Sequence, residues 1–463
     1  MKKLVCLLFL FGTIHAHSQI SSATIKSAYT KFINYPAFKH SSISLYVVNT
    51  KTGKPVLEEN AQMGLAPAST LKVVTSAAAY AILGRDYRYE TKLSYSGKID
   101  KGILNGDIII TGSGDPTLGS WRYESAKEQN VLAEFMKAIA RQGINEITGN
   151  VLVDESLWTG EITPNGWIWQ DMGNYYGVGA RTLNWRENQY DLFLKSGNQI
   201  NNSVEITGTL PAHVVGLNLS SVAKAAAKGT GDNAYIYHPL NDPTGYVRGT
   251  IPAGENKFKI SGSMPNGAQQ LAMTLEAALK KTTLKNIEEA YPVMKAGKPG
   301  TFFYTYYSPT MDSISYWFVN KSINLYGEAM LKTMGLQEGQ SGETSSGVKV
   351  MKDFWKKNGI DPTALSIQDG SGLSPGNRIT TSSLVQVLQY GKKQDWFNSW
   401  FEGFPLINGI KMKSGTIGGA LGYTGFIKSK TGEEYTFAFI INNYDGGASE
   451  TRRKMWRFLD LLK

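Results

Sequence analysis

The chain has 463 residues, and its 48 lysines and arginines against 38 acidic residues give a formal net charge of +10 at pH 7. This length predicts two or three domains, since one domain commonly takes about 100–200 residues. The excess charge is spread along the chain and forms no dense basic block interleaved with aromatic residues, which argues against nucleic acid as a partner. The five histidines show neither an HExxH motif nor paired metal-ligand spacing, so we expect no metal ion and no other cofactor.

The N-terminus has the composition of a secretory signal peptide. Lys2 and Lys3 precede an apolar run over Leu4–Ile14, and Ala16–Ser18 offers small residues at both positions that a signal peptidase recognises. The run is too short to span a bilayer, which takes about 20 apolar residues. We therefore predict that residues 1–18 are cleaved before Gln19 and that the mature protein is exported. A buried N-terminal helix is the alternative.

The only cysteine, Cys6, lies inside this predicted signal peptide. The mature chain would then contain no thiol, which excludes a cysteine nucleophile, a disulfide framework and a cysteine-ligated zinc ion. It also suits an oxidising compartment outside the cytoplasm, where a free thiol is a liability.

The first part of the mature chain predicts both helices and strands. A helix is expected around Ser22–Phe32, followed by a strand over Ser42–Asn49 that turns at Lys51–Gly53 and returns through Pro55–Glu58. The long, mostly apolar stretch Ala66–Leu83 then predicts a buried helix.

Between residues 89 and 267 the pattern changes to short strands separated by turns rich in Asn, Asp and Gly, which predicts a β-rich insertion of two subdomains. One helix interrupts it near Ser125–Gln142. The predicted strands of this region are Glu90–Ser96, Gly106–Thr111, Glu146–Asp154, Tyr190–Lys195, Ser203–Thr209 and Lys257–Gly262.

From residue 268 onward helices return, and strands are predicted over Ile407–Thr416, Tyr423–Ser429 and Tyr435–Asn443. A closing helix over Glu450–Leu462 carries apolar residues at i, i+3, i+4 and i+7. We therefore predict an α+β fold in which residues 19–88 and 268–463 form one discontinuous domain around an insertion of residues 89–267.

A candidate nucleophile and base stand three residues apart at the start of a predicted helix. Ser69 follows Pro67 and Ala68, and the spacing places Lys72 on the same helix face as the serine. A buried lysine can lose its charge and accept the serine proton, while the helix N-terminus favours an oxyanion at the Ser69 amide. An ordinary N-cap serine is the alternative, and we expect that alternative for the Ser-x-x-Lys sequences Ser221–Lys224 and Ser346–Lys349.

Two further short motifs follow. Lys413–Gly415 continues a predicted strand with Ile407, Gly409 and Lys411 on the face of Lys413, and Gly415 would let a ligand backbone approach closely. The literal Lys-Thr-Gly sequences at 51–53 and 430–432 are predicted hairpin turns. Ser322–Asn324 lies between two predicted helices, Met311–Val319 and Leu325–Met334, and offers a hydroxyl and an amide to a peptide substrate. A helix N-cap is its alternative role.

The ordered set Ser69–Lys72, Ser322–Asn324 and Lys413–Gly415 resembles the SxxK, SxN and K[ST]G motifs of penicillin-binding proteins and serine β-lactamases. The sequence is further similar to the S13 family of D-alanyl-D-alanine carboxypeptidases and endopeptidases in three phrases, Gly112–Leu118, Gly166–Trp169 and Asp369–Ser374. The resemblance implies a β-lactamase/transpeptidase-like domain, an antiparallel sheet flanked by helices, with a large insertion.

The resemblance also implies catalytic roles. Ser69 would attack the penultimate D-Ala carbonyl, Lys72 would accept its proton, and Ser322 would pass a proton to the leaving group. Asn324 would hold the substrate amide, and Lys413 would supply positive potential.

Further implied roles concern substrate binding. The hydroxyls of Ser414 and Thr416 would bind the terminal carboxylate beside Gly415, and the amides of Ser69 and Thr416 would form the oxyanion hole. Ser414 departs from the commoner threonine, and Gly327 stands where alanine is usual.

The implied activity is that of a periplasmic serine DD-peptidase that acts on peptidoglycan stem peptides and is acylated by β-lactams. Asp154 follows a predicted strand, and we expect its carboxylate to line the substrate cleft; capping a buried turn is the alternative. The phrase beginning at Asp369 predicts a functional loop, although turn geometry explains it equally well.

Two other functions fit parts of the pattern. A serine β-lactamase needs an efficient deacylating base, but no Glu-x-x-x-Asn loop stands in the expected place and no Tyr-x-Asn replaces Ser-x-Asn. A catalytically silent peptidoglycan-binding sensor would not need an intact Ser69, Lys72 and Lys413.

The closing helix allows a peripheral association with the membrane or cell wall. Its basic residues Arg452, Arg453, Lys454 and Arg457 stand beside an apolar face, as in interfacial helices. Packing of that face onto the terminal sheet is the simpler prediction.

Overall fold

The computed structural model describes residues 22–158, 160–239, 243–281, 293–294 and 300–463, so the predicted signal peptide lies outside the described residues. Its helices are α1 Ser22–Ile33, α2 Leu71–Leu83, α3 Glu128–Arg141, α4 Trp169–Met172, α5 Gly267–Lys280, α6 Met311–Asn320, α7 Asn324–Gln337, α8 Thr344–Lys357, α9 Thr381–Lys392, α10 Phe397–Glu402 and α11 Ala448–Leu459.

The strands, in chain order, are β1 Ser42–Asn49, β2 Pro55–Glu59, β3 Glu90–Tyr95, β4 Lys98–Asp100, β5 Ile103–Asn105, β6 Ile108–Thr111, β7 Glu146–Ile147, β8 Val151–Asp154, β9 Gln189–Ser196, β10 Val204–Leu210, β11 Asn218–Ser221, β12 Lys224–Ala226, β13 Asn233–Tyr237, β14 Thr244–Pro252, β15 Phe258–Ser263, β16 Val293–Met294, β17 Thr301–Tyr307, β18 Leu365–Ser366, β19 Arg378–Ile379, β20 Leu406–Ile407, β21 Ile410–Ile417, β22 Ala420–Lys428 and β23 Glu434–Asn442.

A six-stranded antiparallel sheet joins the two ends of the chain, in the order β2-β1-β23-β22-β21-β20. Side chains alternate across it because successive strand residues point to opposite faces. Phe437 and Phe439 lie in the hydrophobic core that contains α1 and α11, whereas Ala438 and Ile440 lie in the core that contains α2 and α9. The predicted α+β class, an antiparallel sheet flanked by helices, is confirmed.

The apolar face of α11 is buried in the first of these cores through Met455, Phe458 and Leu459. This is the packing that the simpler interpretation of the closing helix predicts. Among the described residues, no helix combines the length and apolarity that crossing a membrane requires.

The inserted region contains two hydrophobic cores. The first lies around the sheet β16-β8-β6-β3-β17 with helices α3 and α5. The second lies between the sheet β10-β9-β15 and the sheet formed by β11, β12, β13 and β14. Because α5 packs against β8 and β17 pairs with β3, this region extends to Tyr307. The predicted boundary between residues 267 and 268 therefore needs correction. Helical periodicity resumes at residue 268, but α5 and β17 both pack within the inserted region.

Two predicted strands are divided in the structure. The stretch Glu146–Asp154 forms β7 and β8, which belong to different sheets. The stretch Ile407–Thr416 contains a hairpin between β20 and β21, because Asn408 and Gly409 both adopt positive φ angles, 49° and 71°. Asn-Gly favours such two-residue turns. The predicted common face of Ile407 with Lys413 is therefore wrong.

Candidate active site

The Ser69 hydroxyl and the Lys72 amine lie at the start of the buried helix α2. A short 3-10 turn over Ala68–Thr70 leads into it, and Ala68 has a φ of 47°, an uncommon backbone conformation for a residue with a side chain. Lys72 Nζ lies 3.0 Å from Ser69 Oγ. The lysine side chain is fully buried, and this desolvation lowers its pKa to about 7, although the carboxylates of Asp369 and Glu328 act in the opposite direction.

Three contacts surround the Lys72 nitrogen. Besides Ser69 Oγ, it donates to Asn324 Oδ1 at 2.6 Å and to the backbone oxygen of Ser371 at 2.6 Å. A neutral amine keeps two N–H groups and one lone pair. Because the Asn324 and Ser371 atoms are acceptors only, both N–H groups of the neutral form are directed to them, and its lone pair is left facing the Ser69 hydroxyl. The arrangement therefore suits proton transfer from serine to lysine.

The orientation of the Asn324 amide is set by the inserted region. Its Nδ2 donates to the backbone oxygen of Tyr176 at 2.7 Å, so its Oδ1 faces Lys72. Asn324 begins α7, and Ile323 precedes it as the N-cap without a side-chain cap bond. Ser322 is therefore not the N-cap of this helix. It has a φ of 61° and lines the same cavity as Ser69.

The strand β21 runs beside the nucleophile through Gly415. A Cβ atom on this glycine would lie 2.6 Å from the Pro67 oxygen and 2.8 Å from the Ser69 nitrogen. The backbone that approaches Gly415 is thus the turn that carries Ser69. Lys413 is buried, and its Nζ donates to the backbone oxygen of Ser414 at 2.8 Å. Burial, together with the nearby Lys72, lowers the pKa of Lys413 well below its usual range.

A cavity of about 720 Å³ opens onto these groups. Ser69, Ser322 and Asn324 line it from the catalytic domain, and Thr416 lines it from the end of β21. The inserted region also lines the cavity, through Arg122, Ile168, Gln170, Asp171, Tyr175, Tyr176, Gln189 and Tyr235. The cavity is large enough for a short peptide.

Three predicted substrate-binding residues, Asp154, Ser414 and Gly415, are not among those that line this cavity. Asp154 ends β8, and its Oδ1 accepts a hydrogen bond from the Ser156 amide at 2.9 Å, as the turn-capping alternative expects. Its role in the substrate cleft stays a prediction. Ser414 contributes its backbone oxygen to Lys413, as described above.

The competing short motifs lie elsewhere. The two literal Lys-Thr-Gly sequences lie in the connections between β1 and β2 and between β22 and β23, as predicted. Ser221 and Lys224 lie on β11 and β12, and Ser346 and Lys349 lie within α8, so neither serine is the predicted helix cap. Both lysines are exposed.

Two buried carboxylates near Lys72 were not assigned roles from the sequence. Glu328, one helical turn after Asn324, accepts from the Gly370 amide at 3.0 Å, and burial raises its pKa to about 8. Asp369 accepts from the amides of Gly372 and Ser374 and from Trp167 Nε1. These bonds hold the loop whose Ser371 oxygen contacts Lys72. For Asp369, the Asp-Gly-Ser-Gly sequence was the available signal. The loop has both features that were expected as alternatives, since Asp369 caps its turn and Ser371 contacts Lys72.

The sequence is similar to those of known D-alanyl-D-alanine carboxypeptidases. The chain is 23% identical to the D-alanyl-D-alanine carboxypeptidase DacB of Haemophilus influenzae, with 98% of this chain and 96% of that protein covered. It is 23% identical to a D-alanyl-D-alanine carboxypeptidase of Actinomadura sp., with 89% and 80% covered.

The fold is similar to the crystal structure of penicillin-binding protein 4 from Haemophilus influenzae, with a TM-score of 0.79, 21% identity, and 96% of this chain and 100% of that chain covered. That protein has also been solved in complex with a novel β-lactam, to which the TM-score is 0.74 at 20% identity with the same coverage. The sequence model of one peptidase family matches residues 26–410 of this chain. The chain therefore belongs to the D-Ala-D-Ala carboxypeptidase 3 (S13) family.

Proposed function

We propose that this protein is a serine DD-peptidase that cleaves the bond after the penultimate D-alanine of peptidoglycan peptides through an acyl-enzyme on Ser69. The observation that carries the proposal is the buried Lys72 amine, 3.0 Å from the Ser69 hydroxyl, at the edge of a peptide-sized cavity. A serine hydroxyl becomes an effective nucleophile when an adjacent base takes its proton.

In the first half of the reaction, Ser69 Oγ forms a bond to the D-Ala carbonyl carbon and its proton moves to Lys72 Nζ. The amides of Ser69 and Thr416 stabilise the negative charge on the carbonyl oxygen. The C–N bond then breaks, and the leaving amine receives a proton from Lys72 through the Ser322 hydroxyl.

In the second half, water attacks the ester carbon and Ser69 is released with its proton restored. Asn324 holds the substrate amide, while Lys413, Ser414 and Thr416 form the side of the site that receives the terminal carboxylate. The lowered pKa of Lys72 supports this cycle, because an amine that titrates near pH 7 can both accept and return a proton.

The substrate class also implies a compartment. Cleavage of the predicted signal peptide, residues 1–18, would export the chain to the periplasm, where it would meet peptidoglycan and β-lactam inhibitors. The β-lactam complex of the Haemophilus protein supports acylation of this chain by the same class of compound. Association with the cell wall or membrane surface is part of the same proposal.

The test compares the purified protein with Ser69→Ala on monomeric pentapeptide and cross-linked dimeric muropeptides, with products identified by mass. Loss of D-Ala from monomers is the carboxypeptidase reaction, and conversion of dimers to monomers is the endopeptidase reaction. Ser221→Ala, which removes the serine of another Ser-x-x-Lys sequence outside the cavity, is the matched control and should retain wild-type activity. If the wild-type protein leaves every substrate intact, the proposal is wrong and a peptidoglycan-binding sensor takes its place.

A further inference from the structure

The C-terminal helix α11 reaches the same cavity. Ala448 at its start lines the cavity together with Tyr444 and Thr416. One turn further along, the Arg452 side chain is partly buried, and its Nη2 lies 3.4 Å from Thr416 Oγ1, within hydrogen-bonding reach. A guanidinium group is thus placed at the Thr416 end of the cavity by an element that lies outside the three sequence motifs.

The charge of Arg452 is not neutralised by an ion pair within the part of the chain that the structure describes. The neighbouring Lys454, in contrast, pairs with Glu450 at 2.7 Å. Burial raises the pKa of the Tyr423 and Tyr444 phenols, and Arg452 acts on both in the opposite direction; both phenols are neutral at pH 7. Because an arginine side chain does not lose its proton in proteins, a permanent positive charge is available at this position.

Arg122 and Lys321 also line the cavity, and Arg122 is paired with Glu187. Lys413, on the strand that carries Thr416, is less suited to anion binding than Arg452. Lys413 is 2% exposed, and its Nζ donates to a backbone oxygen. Burial and the neighbouring Lys72 disfavour its charged form, as its lowered pKa indicates. The hydroxyl of Thr416 is neutral. Of Lys413, Thr416 and Arg452, the arginine is therefore the group that is both charged and partly exposed.

We propose that Arg452, together with Thr416, binds the free carboxylate of the residue that the enzyme releases, and so makes that carboxylate a determinant of substrate choice. The inference rests on the proposed function and deepens it. When Arg452 donates to Thr416 Oγ1, the threonine hydroxyl keeps its own proton for the carboxylate. The remaining guanidinium N–H groups can donate to the second carboxylate oxygen, the geometry in which arginine binds carboxylates most strongly.

The experiment measures kcat/KM for a peptide ending in D-Ala-D-Ala with a free carboxylate and for the same peptide with a C-terminal amide. The variants are Arg452→Gln, which keeps a polar side chain without the charge, and Arg452→Lys, which keeps the charge without the planar fork. A hydrogen bond to a charged group contributes about 1.5–3 kcal/mol, which corresponds to about 10- to 100-fold in rate. We expect Arg452→Gln to lose this factor on the free acid and less than about threefold on the amide, with Arg452→Lys between them.

Arg453→Ala is the matched control, since Arg453 is the exposed neighbour on the same helix. It should leave both rate constants unchanged. If Arg452→Gln loses kcat/KM equally on the acid and the amide, its role is purely structural, and if kcat/KM on the acid is unchanged, it has no role. Either result overturns the inference, while hydrolysis by the wild-type protein still supports the proposed function. Hydrolysis of neither peptide by the wild-type protein would overturn both.

Discussion

A methyl group added at Gly415 would press directly on the turn that holds the nucleophile. The Cβ atom of Gly415→Ala would lie 2.6 Å from the Pro67 oxygen, 2.8 Å from the Ser69 nitrogen and 2.9 Å from the Thr70 nitrogen. All three atoms belong to the backbone, so no side chain can rotate away. Ordinary contact begins near 3.4 Å, so the turn and β21 must separate by about half an ångström or more.

This displacement should affect activity more than folding. Overpacking of this kind costs about 1–3 kcal/mol of stability, whereas a misplacement of about 1 Å at a reacting group can cost about 100-fold in rate. We expect Gly415→Ala to fold with a lowered melting temperature and to be acylated by a fluorescent penicillin about 10- to 100-fold more slowly than the wild-type protein.

The assay records the second-order rate constant of acylation and the thermal unfolding curve of each protein. Gly64→Ala is the control, because its added methyl group would meet only Arg378 Cβ, at 3.5 Å, in an exposed part of the same domain. Acylation of Gly415→Ala within twofold of the wild-type rate would refute the steric reasoning, and so would an equal loss in Gly64→Ala.

The charges and contacts of the site lead to four further predictions. Acylation should require the neutral Lys72 amine, so its rate should fall about tenfold per pH unit below the lysine pKa of about 7 and level off above it; a flat profile from about pH 5 to 9 would contradict this. Lys72→Met should be acylated at least about 100-fold more slowly. The wild-type melting temperature should rise relative to that of Lys72→Met between about pH 7 and 10, because the unfolded lysine binds a proton that the folded one disfavours; an unchanged difference would argue against a desolvated amine. If Asp154 only caps the turn after β8, Asp154→Ala should keep kcat/KM on a full stem peptide within about twofold and lose about 1 kcal/mol of stability, since the Ser156 amide loses its acceptor; a tenfold loss in kcat/KM would show that the carboxylate acts in the cleft.

The sequence by itself determined the features that depend on neighbours along the chain. The three-residue spacing places Ser69 and Lys72 on one helical turn, and the pattern of residues 42–49 predicts the observed strand β1 to the residue. The apolar spacing in the closing helix predicts the face that is buried through Met455 and Phe458. Local backbone geometry decides such features, so a short stretch of sequence carries them.

Only the tertiary structure decided which distant groups meet at the site. The Ser371 oxygen, the Glu328 carboxylate and the Arg452 guanidinium come from three elements far apart in the chain. The extent of the insertion likewise depends on the pairing of β17 with β3 across more than two hundred residues. The hydrogen bond from the Ser156 amide to the Asp154 carboxylate is also visible only in the structure, since the sequence left turn capping and a place in the cleft as alternatives. Contacts between distant residues depend on long-range packing, and the local sequence around one residue does not indicate which distant residue it will contact.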